Sequence, residues 1–242
     1  MIAILFLSTL LGILIIRTIY LTAVTTKLFA ESSNFSRDYY VGNPSNSPFL
    51  YVALGDSTVQ GTGSANLEGT LVYQIATKNA EQGFYVHVRN FGTSGARVHD
   101  VLEKQIPPMN ELRPDLITVT VGANDATHFT SYTSYERDWK AIFPTLRAPQ
   151  ILIANTPNMA YTPALTFPMN RIINNRAVHQ NSILNSIISS ENLVDLYGQG
   201  TLNYFSASHF YAADLFHPST AGYSQWTKLF QAPSSNRFRP SF

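Results

Sequence analysis

The chain has 242 residues, a formal net charge of +1, 13% charged residues and no cysteine. That length suits one domain with an appendage. The near-neutral charge provides no basic field for a nucleic acid, and the absence of cysteine excludes disulfides, a thiolate nucleophile and Cys-ligated metal.

Residues 2–24 are apolar apart from small or hydroxylated residues and Arg17. As a helix, such a run is long enough to cross a hydrocarbon core of about 30 Å, with Arg17 placed to snorkel toward an interface. The expectation is a single N-terminal membrane anchor over residues 1–25. The alternative is a cleaved signal on a secreted protein. It is disfavoured because no Lys or Arg precedes the apolar run and Leu28-Phe29-Ala30 is a poor cleavage site. Arg17, Lys27 and Arg37 follow the run, a weak argument for keeping the domain on the cytoplasmic side, so the side of the membrane stays open.

Residues 26–48 read as a linker, since Glu31 to Pro48 is rich in Ser, Asn, Tyr and Pro without a clear period. The domain is expected over 49–232. Phe49–Leu54 reads as a first strand running into Gly55-Asp56-Ser57, a turn that lifts a hydroxyl to the end of a buried strand. Helical spacing follows at Leu71, Ile75 and Ala76, ending near Gly83.

A second strand is expected at Phe84–Arg89 and a helix at Arg97–Gln105, closed by Pro107-Pro108. A third strand at Leu116–Val121 gives way to Gly122-Ala123-Asn124-Asp125. Then come a helix at Tyr135–Leu146, a fourth strand at Gln150–Ala154, and a Pro-bearing loop at Asn155–Pro168 expected to wall a pocket. A long helix at Met169–Ser190, a fifth strand at Leu193–Leu196 and a last helix from Pro218 to about Phe230 complete the domain. Residues 233–242 read as a frayed tail.

Strands alternating with helices, and apolar almost throughout, imply an α/β fold: a doubly wound, flavodoxin-like parallel sheet of about five strands with helices on both faces. The strand ends that carry Ser57, Gly95 and Asn124 then meet at one rim.

Asp214-Leu215-Phe216-His217-Pro218 spaces a carboxylate and an imidazole three apart. That spacing brings them to one side of a turn, where Asp214 can fix the His217 tautomer and leave Nε2 free for a serine hydroxyl. The nearby His209 is a competitor but lacks a carboxylate three residues ahead. Asp56, Asp125 and Asp195 read as loop or cap residues, and His87 as a strand-face residue. His99, His128, His179 and His209 lack metal-ligand spacing, so no metal and no cofactor are expected. Tyr204, Phe205, Phe210, Tyr211 and Phe216 read as packing that also borders a pocket.

Taken together, Gly55-Asp56-Ser57, Asn90-Phe91-Gly92-Thr93-Ser94-Gly95, Gly122-Ala123-Asn124-Asp125 and Asp214-Leu215-Phe216-His217-Pro218 resemble, in order, the blocks of the SGNH, or GDSL-type, hydrolase family. The resemblance covers about Phe49 to Phe230. It implies Ser57 as nucleophile, His217 as general base and Asp214 as its orienting acid. The implied oxyanion hole comprises the backbone N–H groups of Ser57 and Gly95 and the amide of Asn124. An α/β-hydrolase elbow is excluded, because Val59 stands where its second glycine belongs.

The expected activity is ester hydrolysis through an acyl-enzyme, on lipid, lysolipid or acetylated glycan esters. An acyltransferase of the same fold and a non-catalytic binding module are the alternatives. The expected partners are a small-molecule, lipid or glycan ester and, through residues 2–24, a membrane. The oligomeric state is left open.

Overall fold

The computed structural model describes residues 8, 9, 11–16, 35–198 and 208–231. Most of the expected anchor, the expected tail, and Tyr204 and Phe205 lie outside the described residues. Among the described residues, no helix is long and apolar enough to cross a membrane.

Six strands form one sheet: β1 Asp38–Val41, β2 Ser47–Gly55, β3 Phe84–Asn90, β4 Leu116–Thr120, β5 Gln150–Ala154 and β6 Leu193–Val194. Their spatial order is β1-β3-β2-β4-β5-β6. β2 to β6 are parallel, and β1 pairs antiparallel with β3. β1 was not expected, because the segment carrying it reads as linker. Its four residues are too few to show alternation, and only Val41 is fully buried. Cross-strand contacts hold it: Asp38 meets His87 at 2.7 Å, and Tyr40 stacks on the same imidazole at 4.3 Å. His87 is thus a strand-face residue with a specific partner.

The central strands are buried on both faces, which explains their unbroken apolarity. Tyr51 and Ala53 point into one core with α2 (Leu71–Ala80) and α7 (Thr220–Gln231), which contribute Leu71, Ile75, Tyr223, Trp226 and Phe230. Val52 and Leu54 point into the other, with Trp139 and Ile142 of α5 (Tyr132–Ile142) and Leu184 of α6 (Met169–Ile187). Two short helices follow strand ends directly: α1 (Ser57–Gln60) after β2 and α4 (Ala123–Thr127) after β4.

The helix after β3, α3, departs from expectation. Val98–Asp100 is α-helical, Val101–Gln105 widens into a π turn, and Ile106–Met109 resumes the α form. Pro107 and Pro108 therefore do not close the helix. They occupy the first turn of its restarted part, where their missing N–H groups are tolerated.

Candidate active site

Ser57 hangs from the carboxyl end of β2. Gly55 has φ of 147°, and a Cβ there would collide with the Thr120 carbonyl of β4, so only glycine admits the turn. Asp56 caps α1, accepting from Thr58 N at 2.9 Å and Thr58 Oγ1 at 2.8 Å. Burial pushes its carboxyl up, against these two bonds. Ser57 thus begins a helix, where its N–H has no intrahelical acceptor.

Ser57 is held from two more directions. The Gln105 amide, at the end of the π turn, accepts from Gly55 N at 2.8 Å and donates to Gly55 O at 2.8 Å. The loop after β3 wraps α1: Ser94 N donates to Gln60 Oε1 at 2.6 Å and Asn90 Nδ2 to Val59 O at 2.7 Å. A Cβ on Gly92 would lie 2.6 Å from Gln60 N, so this glycine permits the close approach. Neither Gln105 nor Gln60 is recognisable from sequence. Both act through side-chain reach across the fold, and the only local signal near Gln105 was the proline pair that marks the irregular helix.

Asp214 and His217 sit on one tight loop. Ala212 N donates to His217 O at 2.8 Å, and Tyr211 bridges Pro218. Leu215 takes φ of 58°, so the chain doubles back between acid and base. Asp214 Oδ1 accepts from Phe216 N at 2.9 Å and His217 N at 3.0 Å, while Oδ2 pairs with His217 Nδ1. Burial alone would raise the Asp214 carboxyl, but the hydrogen bond and charge of His217, with the two backbone N–H groups, hold it below its ordinary range.

His217 Nε2 lies 2.8 Å from Ser57 Oγ, across 160 residues of sequence. The three groups form one hydrogen-bonded chain from carboxylate to imidazole to hydroxyl. Such a chain can draw a proton from the serine while the acid stabilises the imidazolium. His209 is not part of it: its ring stacks on Phe210 at 3.9 Å.

Opposite Ser57, Gly122 starts α4 with φ of 136° and places Asn124 at the cleft, one amide N–H donating to Ala96 O at 3.1 Å. That bond ties Asn124 to the loop carrying Gly95, whose φ is 79° and whose α-carbon faces open space. Gly95 itself is not part of the cleft lining, whereas Ser57, Asn124 and His217 are. Asp125 Oδ2 accepts from Val98 N at 3.0 Å, which makes Asp125 the loop organiser the sequence suggested. Burial raises its carboxyl to about 6, partly offset by that bond. Asp195 is likewise a loop acceptor, taking Asn155 Nδ2 at 2.9 Å and Gly198 N at 2.8 Å.

The cleft opens to solvent. Pro157, Asn158, Met159 and Thr162 of the β5–α6 loop form one wall, as that loop's position implies. Tyr211, Phe216 and Trp226 add aromatic surface.

The GDSL-like lipase/acylhydrolase family matches over residues 53–225. Among solved structures, a lipase from a goat rumen metagenome aligns with a TM-score of 0.56 at 16% identity, covering 79% of this chain and 99% of its own. An acetylxylan esterase from Geobacillus stearothermophilus aligns with a TM-score of 0.53 at 20% identity, covering 78% and 94%. A family 3 carbohydrate esterase from Clostridium thermocellum aligns with a TM-score of 0.57 at 14% identity, covering 76% and 94%. No curated protein matches the chain. At these identities the structural neighbours report the shared fold, and the family match carries the class of chemistry. A sheet that delivers the four blocks to one rim, matched by that family over most of its length, makes this chain a member of the GDSL-like lipase/acylhydrolase family and a hydrolase of ester bonds.

Proposed function

We propose that the protein is a serine esterase working through an acyl-enzyme, with Ser57 as nucleophile, His217 as general base and Asp214 as the group that orients it. The observation that carries this reading is the 2.8 Å contact between Ser57 Oγ and His217 Nε2, with Nδ1 of the same ring committed to Asp214. His217 donates from Nδ1 to Asp214 and accepts the Ser57 proton at Nε2 as Oγ attacks the ester carbonyl.

Negative charge then develops on the carbonyl oxygen, and the Ser57 N–H and the Asn124 amide, both in the cleft lining, stabilise it. The Gly95 N–H joins them if its loop, tied to Asn124 through Ala96 O, turns that group into the cleft. His217 returns its proton to the leaving alcohol, and a water activated by the same ring releases the acid. Asn124 has one amide hydrogen on Ala96, which fixes the plane of the amide and leaves the other hydrogen for the oxyanion.

The proposed substrates are carboxylic esters of lipids, lysolipids or acetylated glycans. The lipase, acetylxylan esterase and carbohydrate esterase of the same fold support that range. Residues 2–24 form the proposed membrane anchor, on the strength of their apolar length.

The test is hydrolysis of p-nitrophenyl acyl esters of graded chain length by the wild type, Ser57→Ala and Asp214→Asn. Ser57→Ala is expected to lose roughly 10⁶-fold in kcat, and Asp214→Asn about 10⁴-fold through the wrong His217 tautomer. Turnover by folded Ser57→Ala at the wild-type rate sinks the reading.

A further inference from the structure

The chain enters its domain at the catalytic rim. β1 runs antiparallel to β3, with Asp38 opposite Arg89 and Val41 opposite Val86, so its first residue lies beside the end of β3, where the cleft loops begin. Asn90 N donates to Arg37 O at 2.8 Å. Two residues earlier, the Phe35 ring lies against Gly61, the cap of the short helix that starts with Ser57. The opposite edge of the sheet, at the turn before Ser47, is about 26 Å away along β2.

Two further observations say what faces that rim. Residues 25–34 separate the apolar run from Phe35, and even fully extended they reach no farther than about 40 Å. Within the run, residues 11–16 are helical, and Leu11, Ile13, Ile15 and Ile16 are each more than half exposed. At about 100° per residue these four side chains spread over an arc of about 200°, wider than one contact face on the domain would cover.

Close in sequence to the cleft-lining residues, on segments that follow the strand ends, stands a collar of exposed apolar side chains. Leu215 is exposed between Asp214 and His217, Phe129 just after α4, and Tyr161, Phe167 and Ile172 on and beyond the loop that walls the cleft. A bond from Ala164 N to Leu215 O, 3.0 Å, joins that loop to the one holding the acid and base.

We propose that the domain stands with its catalytic rim toward a bilayer, the collar resting on the lipid surface, so that the ester reaches Ser57 from the membrane side. This rests on the anchor and esterase readings above. A short tether attached at the rim holds the mouth near the lipid, and the collar gains from leaving water there.

The native absence of cysteine makes the test direct. Phe167→Cys, Ile172→Cys and Ser45→Cys, each in the full chain, are labelled with an environment-sensitive fluorophore. They are then reconstituted in phosphatidylcholine–phosphatidylglycerol vesicles carrying a nitroxide on the lipid headgroup. Several-fold stronger quenching at 167 and 172 than at 45 is expected. Equal quenching at all three, or stronger quenching at 45, overturns the orientation. Protein left in the soluble fraction after vesicle flotation overturns the proposal by removing its anchor. The expected quenching without Ser57-dependent turnover of p-nitrophenyl acetate keeps the orientation and overturns the delivery of an ester to Ser57.

Discussion

Gln105 carries no proton in the proposed chemistry, yet the nucleophile turn depends on it. Its amide satisfies both polar groups of Gly55, and it is almost fully buried. Gln105→Ala leaves Gly55 N–H unpaired in the interior, while Gly55 O keeps a bond from Thr93 N at 3.0 Å. The expected loss is about 1–3 kcal/mol of stability in urea denaturation, with a fall in kcat and little change in KM. Gln105→Glu keeps the acceptor for Gly55 N–H and should recover part of both.

Asp125 is a residue whose protonation the fold controls. Its carboxyl is raised from an ordinary value near 3.8 to about 6 by burial. Between those two values the folded chain holds a proton that the unfolded chain has released, so stability falls as pH rises from about 4 to 6. Asp214 has the opposite sign: held below its ordinary range, it stabilises the fold above that range, and this is lost as pH falls through its folded value. Melting temperatures of Asp125→Asn across pH 4 to 7 should therefore decline less with rising pH than those of the wild type. An unchanged slope removes Asp125 as the cause.

At the scale of elements, β1 is the part that sequence pattern misses and the domain uses. The central strands are legible because burial on both faces leaves them no polar positions; Val52 and Leu54 serve one core, Tyr51 and Ala53 the other. An edge strand has no such pressure, and Asp38 and Tyr40 face solvent. The bends at Gly55 and Gly122 are readable because a side chain there would strike the next strand's carbonyl or Thr156. The π turn that aims Gln105 is not readable, because its cause is a partner fifty residues away. A chain beginning at Phe35 should outlast one beginning at Asn43 in thermal denaturation. The shorter chain loses the burial of Val41 and the stacking of Tyr39 on Tyr73, a cost on the order of 3 kcal/mol. Equal melting temperatures return β1 to the linker.

At the scale of the whole molecule, the site is divided between two distant pieces of chain. Asp214 and His217 are three residues apart on a loop that closes through its own backbone, whereas Ser57 starts the short helix that follows the first parallel strand. The two pieces are held together by packing beneath them. Tyr223 of α7 is fully buried and hydrogen-bonds Thr62 O, just past α1, and a Cβ on Gly63 would collide with the Pro218 carbonyl.

That division sets an order of events along the chain. The acid–base pair is local and forms at little entropic expense, while its meeting with the serine closes a loop of 160 residues. On a ribosome Ser57, the helix it starts and every described strand of the sheet are synthesised before His217. In the proposed chemistry the chain thus lacks its base for most of its synthesis, and the site is complete only when the loop bearing His217 is seated by the docking of α7.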